Sequence, residues 1–64
     1  MRITVLPQHR QIELEGCRRV ADVLRHLGLL PGTVLVIRGD SLMCDSDLVE
    51  AADAIEIRNV ISGG

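Results

Sequence analysis

Val20-Ala21-Asp22-Val23-Leu24-Arg25-His26-Leu27-Gly28 is the stretch on which the fold turns. Val20, Val23, Leu24 and Leu27 recur at i, i+3, i+4 and i+7, which puts four apolar side chains on one stripe of an α-helix. Asp22 falls near the start, where a negative charge suits the helix dipole. Gly28 follows the last periodic residue and suits the left-handed cap that ends many helices. Arg18 is a poor N-cap, so the start is less sharply marked than the end. So short a helix gains little from propensity, and its apolar stripe must be packed against something.

On either side of this stretch the period is two. Arg2 to Leu6 alternates with Ile3 and Val5 on one face, as a half-buried strand does. Pro7-Gln8-His9-Arg10 interrupts the pattern, and residues 11–15 resume it with Ile12 and Leu14 sharing a face. Two short strands across a four-residue break predict a β-hairpin. Gly16-Cys17-Arg18 connects the hairpin to the helix. Beyond the helix, Leu29-Leu30-Pro31-Gly32 turns the chain back. Val34-Leu35-Val36-Ile37 is apolar on both faces, the mark of a central strand or of one with an exposed sticky face. Gly39-Asp40 signals a turn, after which Ser41 to Met43 pairs briefly. Residues 44–53 are acidic and irregular, with Leu48 and Val49 as anchors. Ala54-Ile55-Glu56-Ile57-Arg58 alternates again, with Ile55 and Ile57 inward and Glu56 and Arg58 outward. The order strand, strand, helix, strand, short strand, strand predicts an α+β domain. Its simplest form is a mixed sheet of four to five strands with one helix on one face.

Sixty-four residues make one domain. A chain of this size hides only about 60% of the surface its unfolded form exposes, so a deep substrate pocket would remove core it cannot spare. That argues against a self-contained enzyme. The hydrophobic share of 47% and the charged share of 25% are those of a folded domain. The absence of Phe, Tyr and Trp excludes modules that stack bases on aromatic side chains. The net charge of -2 offers no attraction to phosphate backbones or acidic membranes. No direct nucleic-acid partner and no membrane partner are therefore expected. The longest apolar run, residues 34–37, is far too short for a bilayer, and the N-terminal residues lack the apolar stretch of a secretion signal. Two Cys in such a chain suggest reduced thiols in a cytoplasm.

Cys17, Cys44, His9 and His26 lack the close spacing of a zinc motif, and no metal site is expected. The plain reading is a partly buried thiol at Cys44 and histidines on the surface. Asp45 and Asp47 are expected to cap a turn rather than to do acid–base work. Gly63-Gly64 differs in kind. At about 7% usage, two terminal glycines arise by chance roughly once in two hundred chains. Without a Cβ, an extended backbone can enter an active site too narrow for any side chain, and the terminal carboxylate carbon stays open to attack. All seven basic residues are Arg. One reading is biased codon usage. The other is that the chain offers no side-chain amine to accept its own activated acyl group.

Taken together, the hairpin, the helix ending in Leu27-Gly28-Leu29, residues 34–39, the acidic loop, Ala54-Ile55-Glu56-Ile57 and the ending Val60-Ile61-Ser62-Gly63-Gly64 resemble the ThiS/MoaD family of ubiquitin-like sulfur carriers. The likeness covers the whole chain, and the final Gly-Gly, the family's reactive motif, is its specific part. It implies a ubiquitin-like β-grasp domain over residues 1–59 and a flexible tail over residues 60–64. It also implies the chemistry. An E1-like enzyme, using ATP and Mg, adenylates the Gly64 carboxylate while Gly63 lets the tail pass. Sulfur from a cysteine desulfurase or rhodanese-type donor displaces AMP and leaves a thiocarboxylate. That sulfur goes to a sulfur-accepting synthase or a tRNA-thiolating enzyme, toward thiazole, molybdopterin, thiolated tRNA or a sulfur amino acid. Arg38-Gly39 and Ile61-Ser62-Gly63-Gly64 look closer to the carriers that serve tRNA thiolation. The carrier binds no cofactor and is a cosubstrate, not an enzyme. The alternative is a protein modifier joined through Gly64 to target lysines.

An apolar face on a soluble monomer marks where such a partner docks. Size assigns Leu35 and Ile37 to the core and leaves Val34 and Val36 on the open face. Leu6 and Val60 also point outward by alternation. The expected docking patch is then Leu6, Val36 and Val60, leading through Ile61 and Ser62 to Gly63 and Gly64.

Overall fold

The computed structural model describes residues 1–60. Five strands form one sheet: β1 (Arg2–Leu6), β2 (Arg10–Glu13), β3 (Val34–Arg38), β4 (Ser41–Met43) and β5 (Ala54–Asn59). Helix α1 (Val20–Leu27) follows the hairpin, and a single 3-10 turn (Pro31–Thr33) leads into β3. The strand order is β2-β1-β5-β3-β4. β1 and β5 run parallel at the centre, and every other neighbouring pair is antiparallel. This is the α+β, β-grasp arrangement, one helix against a mixed sheet.

The helix ends as its glycine requires. Gly28 lies in the left-handed region at φ 70°, and the Leu29 N–H reaches back to the Leu24 carbonyl at 2.9 Å. Its start is held by the acidic loop instead of by a capping side chain at Arg19. The N–H groups of Val20 and Ala21 donate to the Asp47 and Asp45 carbonyls, both at 3.0 Å. Asp22 closes the turn by accepting from the Arg18 and Arg19 N–H groups at 3.2 and 3.1 Å. These bonds satisfy donors that a helix N-terminus otherwise leaves open, which is why arginine is tolerated there.

Ile3, Ile55 and Ile57 on the sheet meet Val20, Val23 and Leu24 on the helix, and Met1, Val36 and Val49 complete the buried core. Of the two expected loop anchors, Val49 is buried, while Leu48 is 60% exposed. Leu48 instead forms a backbone bridge with Arg19.

The register of β3 is the inverse of the one that side-chain size predicts. Val36 sits opposite Ile57, which is fully buried, and is itself only 5% exposed. Leu35 sits opposite Arg58 and Ile37 opposite Glu56, on the face away from the helix. Pairing with β5 decides the matter, because residues directly opposite in an antiparallel ladder share a face. Val36 therefore belongs to the core, and its place in the expected docking patch is withdrawn.

Two carboxylates hold the loops to this frame. Asp47 accepts from the Cys44 N–H at 2.7 Å, the turn-capping role expected of it. Asp53 accepts from the Glu50 N–H at 2.8 Å and from Arg38 Nη1 at 3.0 Å, while the same Arg38 nitrogen donates to the Leu48 carbonyl at 3.3 Å. The Glu50 N–H first, and Arg38 after it, hold the Asp53 carboxyl below the usual carboxylate range. The N–H groups of Arg19 and Arg18 do the same for Asp22. A carboxylate that binds protons less readily folded than unfolded adds stability above its unfolded pKa and loses it as pH falls through the folded one. Stability is therefore expected to hold from neutral pH down to about pH 4 and then to drop. Denaturant titrations of the parent and Asp53→Asn would check this. The variant, uncharged at every pH, should show the shallower loss on acidification.

Candidate functional site: the open sheet face and the root of the tail

β5 lies second to neither edge: β1 pairs along one side of it and β3 along the other. The end of β5 at Asn59 is thereby flanked by Leu6 at the end of β1 and Val34 at the start of β3. The ladder continues one step further, with the Val60 N–H donating to the Thr33 carbonyl at 3.2 Å. The chain leaves the domain from the middle of the sheet, not from a loose edge.

Alternation along the paired strands composes the face opposite the helix. One row crosses it as Leu6, Arg58, Leu35, and the next as Thr4, Glu56, Ile37, Leu42. Leu35 is 40% exposed, Leu42 66% and Val60 50%, while Leu6 and Ile37 are half-buried. Arg58 Nε donates to Glu56 Oε2 in the middle of this surface, so its two charges pair with each other. Leu6, Leu35, Ile37 and Leu42 thus border the self-neutralised pair on the side toward β3 and the end of β5, a surface that a partner can cover with little stranded charge. Next to the tail root, Leu6, Pro7, His9, Arg58 and Asn59 line a shallow open depression of about 420 Å³.

Of the expected patch, Leu6 and Val60 lie where alternation puts them, and Val36 does not. Ile61, Ser62, Gly63 and Gly64 lie outside the described residues, so the tail expected over residues 60–64 does too, except for Val60. Sequence reasoning missed Leu35, Ile37 and Leu42. The signal that could have found them is Arg58 and Glu56: once these point outward, whatever β3 places opposite them must do the same.

The cysteines also change places. Cys44 is exposed, and Cys17 is the half-buried thiol, packed against the core. Burial, and then the nearby Asp22 carboxylate, push the Cys17 thiol up, which suits a packing role rather than a nucleophile. Among the described residues no group of three His, Cys, Asp or Glu side chains is placed to hold a metal ion. No described helix is long and apolar enough to cross a membrane.

No protein-family model matches the chain. Among curated proteins, the sulfur carrier protein TtuB of Thermus thermophilus is 40% identical over 65 aligned positions, covering 100% of both chains. Identity of that extent, end to end, on a β-grasp domain settles the relationship: the chain belongs to the ThiS/MoaD family of ubiquitin-like sulfur carrier proteins.

Proposed function

We propose that the protein carries sulfur as a thiocarboxylate on Gly64. The observation that carries this reading is the full-length identity to a named sulfur carrier, on a chain that ends in Gly-Gly. An E1-like enzyme joins the Gly64 carboxylate to AMP from ATP, with Mg beside the phosphates. The mixed anhydride turns a poor leaving group into a good one. A persulfide from a cysteine desulfurase or rhodanese-type donor attacks the carbonyl carbon and AMP departs; a second thiol then attacks the donor's sulfur, breaking the S–S bond, so that the thiocarboxylate leaves with the electron pair and the two thiol sulfurs end as a disulfide. That sulfur is a stronger nucleophile than the carboxylate oxygen it replaces. A synthase or a tRNA-thiolating enzyme of the cytoplasm receives it.

The domain's part is to be held while the tail reacts. Five residues follow Asn59, and fully extended they span at most about 17 Å. The docking surface must therefore lie within that distance of the adenylating centre. The apolar face formed by Leu6, Leu35, Ile37, Leu42 and Val60 borders the tail root, and that position favours it as the docking surface. Ile61 and Ser62 would line the entry, and Gly63 and Gly64 would thread it because no side chain obstructs them.

Incubation with an activating enzyme, ATP and a sulfur donor is expected to raise the intact mass by the difference between sulfur and oxygen. Deletion of Gly64 should abolish that shift and barely alter the thermal midpoint, since a terminal residue outside the core contributes little. A shift that survives the deletion would place the chemistry elsewhere.

A further inference from the structure

The charge of this chain is built without a single lysine: Arg2, Arg10, Arg18, Arg19, Arg25, Arg38 and Arg58 supply all seven basic residues. Guanidinium stays protonated at any physiological pH and is no acyl acceptor there. That leaves the α-amine at Met1, and the fold withdraws it. Met1 is 7% exposed and packs in the core. Its ammonium donates to the Leu14 carbonyl at 3.1 Å and stands 3.9 Å from the Glu13 carboxylate. The residue is pinned on both flanks, by the Leu14 N–H on its own carbonyl and by the Arg2 N–H on the Asp53 carbonyl, both at 3.0 Å. Met1 precedes β1, which has strands on either side, so these bonds tie the residue to the centre of the sheet.

We propose that the carrier is an acyl donor that offers no reactive amine of its own, so that one activated copy is not joined to another through an amide. The inference rests on activation of Gly64 as argued above. The capture it prevents is simple chemistry. An amine nitrogen places its lone pair on the Gly64 carbonyl carbon, the bond to the AMP oxygen breaks, AMP leaves with that electron pair, and the amine proton passes to water. ATP supplies the activation. The product, an amide between two carriers, would waste the sulfur-accepting terminus irreversibly. Arginine in place of lysine removes the side-chain amines, and the Met1 contacts withdraw the α-amine; a thioester formed at the exposed Cys44 thiol would keep an activated acyl group that sulfur can still displace. Where the same activated terminus is joined to lysines of other proteins, each adduct stays single, because an attached carrier offers no amine to extend a chain.

The test has two arms. In the first, the folded protein meets an acetyl N-hydroxysuccinimide ester near neutral pH, and acetylation of Met1 is followed by mass. The folded chain should react slower than the urea-unfolded chain by on the order of tenfold or more, since reaction needs local opening. Equal rates would overturn the withdrawal of the amine. In the second arm, concentrated carrier is incubated with activating enzyme and ATP but no sulfur donor, with hydroxylamine added to a parallel sample. The parent should form no amide-linked dimer. Arg25→Lys, a change at a helix position 80% exposed and away from the open sheet face, should form it. Dimer from the parent, or none from Arg25→Lys while hydroxylamine captures Gly64, would overturn the proposal. Absence of the hydroxamate in the parallel sample would instead sink the sulfur-carrier reading beneath it.

Discussion

Val36→Asp is expected to leave the chain unfolded, and Ile37→Asp to leave it folded. The two positions are neighbours in sequence, similar in chemistry and on the same strand, so the contrast isolates which face each occupies. Val36 is 5% exposed, lies opposite the fully buried Ile57, and belongs to the cluster that joins sheet to helix. A carboxylate there would have no cation to pair with among the apolar residues of that cluster. Burying such a group unpaired costs several kcal/mol even after the protein relaxes or the carboxyl takes up a proton. A domain of this length has a total stability of roughly 3–10 kcal/mol. The substitution therefore consumes most or all of it. At Ile37 the new carboxylate lies on the open face, across from Glu56 and Leu42. The cost is the loss of a half-buried apolar contact and some repulsion from Glu56, about 1 kcal/mol. Far-UV circular dichroism with urea titration would read both. A folded Val36→Asp together with an unfolded Ile37→Asp would restore the register that side-chain size predicts.

That reversal shows where the sequence stops being informative. The body and end of the helix were legible, because Val20, Val23, Leu24 and Leu27 admit one period and Gly28 one ending; its start was not, because loop carbonyls at Asp45 and Asp47 hold it. β1 and β5 were legible because polar residues alternate with Ile3, Val5, Ile55 and Ile57, so the inward set names itself. β3 has no such contrast. Val34, Leu35, Val36 and Ile37 are apolar in both phases, and only the pairing partner, a long-range fact, selects between them. Arg38 adds to the ambiguity: it shares a phase with Val36, yet it stands at the end of the strand, where its side chain turns to Asp53 and the Leu48 carbonyl. Leu48 and the cysteines were misjudged for a related reason. Whether Leu48 or Val49, Cys17 or Cys44, turns inward depends on how the acidic loop meets the helix start through Asp45 and Asp47, and no local pattern encodes that meeting. The role proposed for the terminal glycines, by contrast, is argued without any fold, from what a Cβ would obstruct.

Leu35→Asp is expected to weaken binding to the activating enzyme by at least about 30-fold, the effect of about 2 kcal/mol lost at an interface hot spot, with the domain still folded. Leu35 stands next to Arg58 in the row that also holds Leu6, and that row ends at the tail root. It is the open-face side chain whose contact with a partner would most directly fix where residues 60–64 enter. Truncation to Ala would remove the apolar contact; Asp adds a charge that must be stripped of water on docking, and Arg58 beside it is already engaged by Glu56. Leu48→Asp provides the control, since it alters a leucine that is 60% exposed beside the start of the helix, away from this face. It should bind as the parent does. Titration calorimetry at two salt concentrations separates the contributions further. An apolar interface around an Arg58–Glu56 pair that neutralises itself should lose little affinity between about 0.05 and 0.5 M salt, where exposed charge pairs are screened. Equal weakening by Leu35→Asp and Leu48→Asp would mean that the enzyme grips the helix side. The tail would then have to travel around the sheet within its span of about 17 Å, a path that the central position of β5 makes long.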